Sequence, residues 1–182
     1  MNNPLLDLII NYAYREGDFV LSSGASSSYY INCKEVTLRA EGALMIGRLI
    51  LEKLPDSTDA IAGLTLGADP IVSAVSIVSA IYNQGIPGLI IRKQAKGHGT
   101  QAYIEGPKLD PGSKVVVLED VVTTGQSALQ AVARLQDAGY KVNQIISLVD
   151  RNQGGRELYE KQGLEFQSLF TIEEIQEYVT SS

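Results

Sequence analysis

Residues Lys114 to Leu135, KVVVLEDVVTTGQSALQAVARL, run from a continuous apolar strand through two adjacent acids into a hydroxyl-rich loop and a helix. The spacing places Glu119 and Asp120 at the strand's end, Thr123 and Thr124 in the loop, and Gly125 where the helix opens. The first amides of a helix lack intrahelical acceptors and carry the positive end of its dipole, so they can seat an anion. Gly125 lets the backbone approach closely, and Thr123, Thr124 and Ser127 add hydroxyl donors. Two carboxylates beside a phosphate would repel it unless they served another group. A vicinal diol is the natural partner, because a carboxylate accepts both of its hydrogen bonds. The loop therefore reads as a holder for ribose 5-phosphate. The competing reading is a strand-turn-helix with threonine caps and acids placed for the dipole. Two adjacent acids behind so apolar a strand argue against it.

A second constellation is Arg92-Lys93-Gln94-Ala95-Lys96-Gly97-His98-Gly99, after an apolar run ending at Ile91. Three permanent cations and the chain's one histidine fall together in a protein whose formal charge is −6. Clustering of this kind suits a small polyanion such as a diphosphate. The flanking glycines suit a lid that closes and excludes water. The patch is too narrow for a duplex, and the acidic balance argues against a nucleic-acid partner. Other phosphate and nucleophile motifs fail: no G-x-x-x-x-G-K-[ST] occurs, Ala102 stands where a dinucleotide fingerprint needs glycine, and Leu129 replaces the closing glycine of a nucleophile elbow.

The elements that must position these groups alternate. Helical spacing covers Pro4–Arg15, about Glu41–Leu54, Pro70–Tyr82, Gly125–Ala138, Gly155–Gln162 and Ile172–Tyr178. Strands are expected at Phe19–Leu21, Tyr29–Asn32, Ala60–Leu64, Gly88–Ile91, Lys114–Leu118, Val142–Val149 and Phe166–Leu169. Continuous apolar strands separated by helices predict an α/β fold whose parallel sheet is covered on both faces. The 182 residues suffice for one domain, with residues 1 to about 40 as a turn-rich hood on a core of 41–182. Cys33 is the only cysteine, which excludes an internal disulfide and a cysteine metal cage. No basic, apolar leader opens the chain, and the longest apolar-rich segment, Ile71 to Tyr82, is too short to span a bilayer; a cytoplasmic protein without membrane contact is expected.

Residues 115 to 127 match in order the fingerprint of the type I phosphoribosyltransferases: an apolar run, two acids, two residues, threonine, a small residue, glycine and a nearby hydroxyl. The chain resembles that family over essentially its whole length. The R-K-x-x-K-x-H-G loop is similar to the catalytic loop of the family's orotate-using branch, and Phe19 to Asn32 resembles that branch's hood. The resemblance implies the type I fold, a mainly parallel sheet flanked by helices with a small N-terminal hood. It implies phosphoribosyl diphosphate bound by Arg92, Lys93, Lys96, His98, Glu119, Asp120, Val121, Val122, Thr123, Thr124, Gly125, Gln126 and Ser127. Lys96, His98 and Asp120 would be catalytic, and Thr123 and Arg151 would hold orotate, with Arg151 on its carboxylate. Mg²⁺ would be carried on substrate oxygens and water, with no dedicated protein ligand set. A homodimer is implied, with part of the lid, notably Lys93, reaching the neighbour's site.

Two positions depart from one branch of the family: Ser22 stands where that branch has lysine, and Leu66-Gly67 where it has a Tyr-Lys pair. The diphosphate is then expected to rely on the loop, the metal and the backbone near Gly67. The rivals are a phosphoribosyltransferase for a purine or uracil, and a non-catalytic sensor of phosphoribosyl diphosphate.

Overall fold

The computed structural model describes residues 3–20, 24, 26–95 and 103–181. Its centre is a six-stranded sheet made of β3 (Ala60–Leu64), β4 (Gly88–Ile91), β5 (Ile104–Glu105), β6 (Lys114–Val122), β7 (Lys141–Asp150) and β8 (Glu165–Thr171). Their spatial order is β5-β4-β3-β6-β7-β8. All neighbours pair in parallel except β5, a short antiparallel edge beside β4. β3 is followed in sequence by β4 on one side, while β6 lies on its other side. The order therefore reverses between β3 and β6, where the carboxyl ends of strands in such sheets open a ligand crevice.

β3 is buried along its whole length, and β6 from Val115 through Glu119. Such strands lack the alternation of a half-exposed sheet because helices cover both faces. One face packs α1 (Pro4–Leu8), α3 (Ala40–Leu51), α4 (Asp69–Ile81) and α7 (Ile172–Ser181) through Leu5, Ile46, Ile71, Val75 and Ile175. The other packs α5 (Gln126–Asp137) and α6 (Gly155–Lys161) through Ala131, Val132, Leu135 and Tyr159.

The hood differs from its sequence reading. The predicted helix Pro4–Arg15 ends in a π-helical turn, Ile9–Ala13, and Tyr14 already begins β1 (Tyr14–Val20). β1 pairs antiparallel with β2 (Ser26–Ile31), with Tyr14 opposite Ile31, and the Asn32 amide donates to the Ala13 carbonyl at 2.9 Å. This non-local pairing outweighs the helical spacing, which registers only local periodicity. The chain's two ends also meet: the Tyr178 hydroxyl donates to Asp7 Oδ1 at 2.9 Å and accepts from the Asn3 amide at 3.1 Å. A four-residue helix, α2 (Lys34–Thr37), and β5 had no sequence signal, being too short to show a period.

Candidate active site

β6 continues four residues past its predicted end, because β7 pairs with it as far as Val121 opposite Val149 and Val122 opposite Asp150. Glu119 and Asp120 therefore belong to the strand, and pleating separates their fates. Asp120 is at the crevice: its side chain is 15% exposed, its Oδ1 accepts from the Val121 amide at 2.9 Å, and its Oδ2 lies 3.9 Å from Lys34 Nζ. Glu119 is buried, and its Oε2 has no hydrogen-bond partner. Burial pushes the Glu119 carboxyl well above the ordinary carboxylate range; the Asp120 charge adds to the rise, and Lys93 of the same chain opposes it.

That shift fixes the sign of a pH effect. Between the ordinary carboxylate pKa and the raised one, folded Glu119 holds a proton that the unfolded chain has released. Stability from this group is complete below the ordinary value and is lost as pH rises through the raised one, at up to about 1.4 kcal/mol per pH unit. Thermal unfolding of Glu119→Gln is expected to lack this component, so its stability relative to the wild type should grow with pH across that window. A pH-independent difference would contradict a raised carboxyl.

The loop after β6 delivers Thr123, Thr124 and Gly125 to α5. Gly125 is the N-cap, with φ +83°, and no side chain caps the helix. The threonine-cap alternative is thereby excluded, and the first-turn amides are left for a ligand. Thr124, Gln126 and Ser127 are exposed, while Val122 and Gly125 are buried beneath them. α6 braces the loop from below: a Cβ on Gly155 would meet Val122 Cγ1 and stand 3.1 Å from the Thr123 carbonyl, and the buried Tyr159 ring lies against Gly125.

On the β3 side, Gly67 abuts the Asp120 carboxylate so closely that a Cβ there would stand 2.5 Å from both oxygens. On the β7 side, the Arg151 amide donates to the Val122 carbonyl at 2.9 Å. Its guanidinium turns to the hood, donating through Nε to the Tyr29 hydroxyl at 2.8 Å and through Nη2 to Ser27 Oγ at 3.5 Å. The fully buried Asp150 shapes this turn by accepting from the Asn152 amide at 2.9 Å and pairing with Arg156 at 3.5 Å. The hood strand β2 thus meets the core at Arg151.

Lys96, His98 and Ser22 lie outside the described residues. The start of the basic loop is described: Arg92 pairs with Glu105 at 3.0 Å, and its amide donates to the Tyr103 carbonyl at 2.8 Å. Three residues here escaped the sequence reading. Tyr29 and Lys34 were missed because nothing local marks their reach to Arg151 and Asp120. Arg134 was missed because on α5 it reads as a solvated helix cation. In the structure Arg134 donates to the Arg92 and Lys93 carbonyls and lies 4.2 Å over the Tyr103 ring, clasping both ends of the basic loop. Arg134→Ala is expected to lower kcat about tenfold, the worth of one lost charge-assisted contact, with little change in Tm. Unchanged steady-state kinetics would show that the clasp does not matter.

A site that sets helix amides beside a carboxylate at the switch point of a parallel sheet is the anatomy of a sugar-phosphate transferase. The phosphoribosyl transferase domain family matches residues 39–178. The chain belongs to the phosphoribosyltransferase family, and within it to the orotate phosphoribosyltransferases. An orotate phosphoribosyltransferase of Synechocystis sp. is 69% identical over 95% of this chain and 87% of its own. One from Nostoc sp. is 66% identical over 97% of this chain and 86% of its own. The Mycobacterium tuberculosis orotate phosphoribosyltransferase, solved in complex with 5-phospho-alpha-D-ribosyl 1-diphosphate, is 33% identical with a TM-score of 0.78, covering 94% of this chain and 96% of that one.

Proposed function

We propose that the chain transfers the 5-phosphoribosyl group of phosphoribosyl diphosphate to N1 of orotate, giving orotidine 5-phosphate and pyrophosphate, a step of pyrimidine (UMP) biosynthesis. The strand order β3-β6-β7 carries this reading. The 5-phosphate sits on the amides and hydroxyls of Thr123 to Ser127, with Val121 and the buried Val122 supporting the loop from the strand end, and Asp120 accepts from the ribose hydroxyls. The diphosphate then extends toward Gly67 on the β3 side, and the base toward Thr123 and Arg151 on the β7 side. Leaving group and nucleophile thus stand on opposite sides of the ribose, as displacement with inversion requires.

Arg151 is a planar cation suited to the orotate carboxylate, exchanging its hydroxyl partners Tyr29 and Ser27 for the stronger charged one. As the glycosidic bond breaks, charge grows on the diphosphate, and Arg92, Lys93, Lys96 and His98 stabilise it best when water is excluded. Glu119 acts from beneath the ribose; its burial leaves Asp120 as the direct acceptor.

Among the described residues no three His, Cys, Asp or Glu side chains gather. Mg²⁺ would be held chiefly by donor oxygens and water, with Asp120 as the neighbouring carboxylate. The ion when bound neutralises charge on the diphosphate.

A homodimer is part of the proposal, with lid residues shared between subunits. Exposed Ile77, Ile81 and Tyr82 on and after α4, with exposed Leu44 on the neighbouring α3, offer apolar surface that suits a second copy. Within the lid, Lys93 is the residue proposed to reach the neighbouring site. Sedimentation at working concentration tests the dimer. None of the described helices is long and apolar enough to cross a membrane, and a cytoplasmic enzyme is proposed. The function is tested by incubating the chain with both substrates and Mg²⁺ and identifying the products: equal amounts of orotidine 5-phosphate and pyrophosphate are expected, and donor binding without product would favour the sensor.

A further inference from the structure

We propose that Lys34 binds the diphosphate of the donor, supplying a cation to the leaving group from the hood side of the crevice. This rests on the reading of function above and adds a residue that the basic loop does not contain.

Lys34 begins α2, and α2 is held firmly. Cys33 and Val36 are fully buried, and Gly42 of α3 lies so close that a Cβ there would collide with the Val36 carbonyl. The Lys34 side chain leaves this anchored turn and reaches the Asp120 carboxylate, the one that also abuts Gly67. The ammonium group therefore stands where the strand order puts the diphosphate, beyond the ribose from the phosphate loop.

Its present contact does not use it up. At 3.9 Å from Asp120 Oδ2 the pair is an ion pair without a hydrogen bond, and the Lys34 side chain is 39% exposed. Among the described residues the Lys34 side chain makes no hydrogen bond, so its three ammonium N–H donors are free for a ligand. Of the other described cations, Arg92 is engaged with Glu105, Arg151 with Tyr29 and Ser27, and Arg134 with loop carbonyls, while Lys93 belongs to the basic loop. An exposed pair of this kind adds little to stability, whereas the same ammonium against a diphosphate in a closing site is worth more. When the ribose hydroxyls take Asp120, Lys34 has the diphosphate oxygens as its next partner, four carbons of reach away from a fixed backbone.

The test compares Lys34→Gln and Lys34→Arg with the wild type. Lys34→Gln should raise the donor KM and weaken pyrophosphate binding by calorimetry, each about tenfold, as for one lost charged contact. The orotate KM and ribose 5-phosphate binding should stay unchanged, since neither ligand carries a diphosphate. Lys34→Arg should recover most of the loss. Wild-type affinity of Lys34→Gln for donor and pyrophosphate would overturn the proposal. So would equal weakening of ribose 5-phosphate, which would mean that Lys34 acts only through Asp120. A general loss, with orotate KM and Tm affected and no rescue by arginine, would make Lys34 structural and also overturn it. If the wild type turned over no orotate, the functional reading would fail by itself, and pyrophosphate binding would still decide Lys34.

Discussion

Gly125→Ala is expected to cut kcat/KM for phosphoribosyl diphosphate by about a hundredfold or more, since displacing reacting groups by about 1 Å costs that much. Two effects combine. The residue sits at φ +83°, where an L side chain costs about 1–2 kcal/mol. The added Cβ would also stand 2.8 Å from Tyr159 Cε1 and 2.9 Å from Cζ. Tyr159 is fully buried and packs edge-on against Phe166 at 5.1 Å, so its ring cannot yield. The loop must move instead, and with it the amides that hold the 5-phosphate. Gly139→Ala is the control: it has the same left-handed backbone, φ +88°, but nothing within 4 Å of its Cβ, and it lies just beyond the far end of α5. Steady-state kinetics should show the loss in the first variant and near wild-type values in the second. Similar behaviour of the two would mean that the Tyr159 contact does not hold the loop.

The second large effect is expected at Arg151. Arg151→Ala removes charge-assisted bonds worth about 2–3 kcal/mol, so the orotate KM should rise about 30- to 150-fold. The donor KM should hardly change, because the Arg151 side chain lies on the β7 side, with Tyr29 and Ser27. Arg151→Lys should recover little, since an ammonium cannot reproduce a planar two-point grip. Initial rates with each substrate varied in turn would check this, and an unchanged orotate KM would remove Arg151 from the base site.

The sheet was legible because fully buried strands carry their own signal: Ala60–Leu64 and Gly88–Ile91 were read to the residue. The strand, loop and helix opening around Asp120 to Ser127 were equally legible, since strand, acid, hydroxyls and glycine follow one another in sequence. What stayed hidden depends on contacts between distant segments. The end of β6 is set by β7, the switch from helix to strand at Tyr14 by β2, and the clasp of the basic loop by Arg134 from α5. Glu119 and Asp120 looked alike as neighbours in sequence. Pleating buries Glu119 and opens Asp120 to the crevice, and that burial raises the Glu119 carboxyl.

The central claim is that the site takes orotate as its base and phosphoribosyl diphosphate as its donor. The most direct measurement follows orotate absorbance after adding phosphoribosyl diphosphate and Mg²⁺, with adenine, hypoxanthine and uracil run in parallel. Loss of orotate absorbance, with the other bases untouched, is the predicted result. Consumption of another base in place of orotate would keep the phosphate seat and contradict Arg151 as a carboxylate clamp.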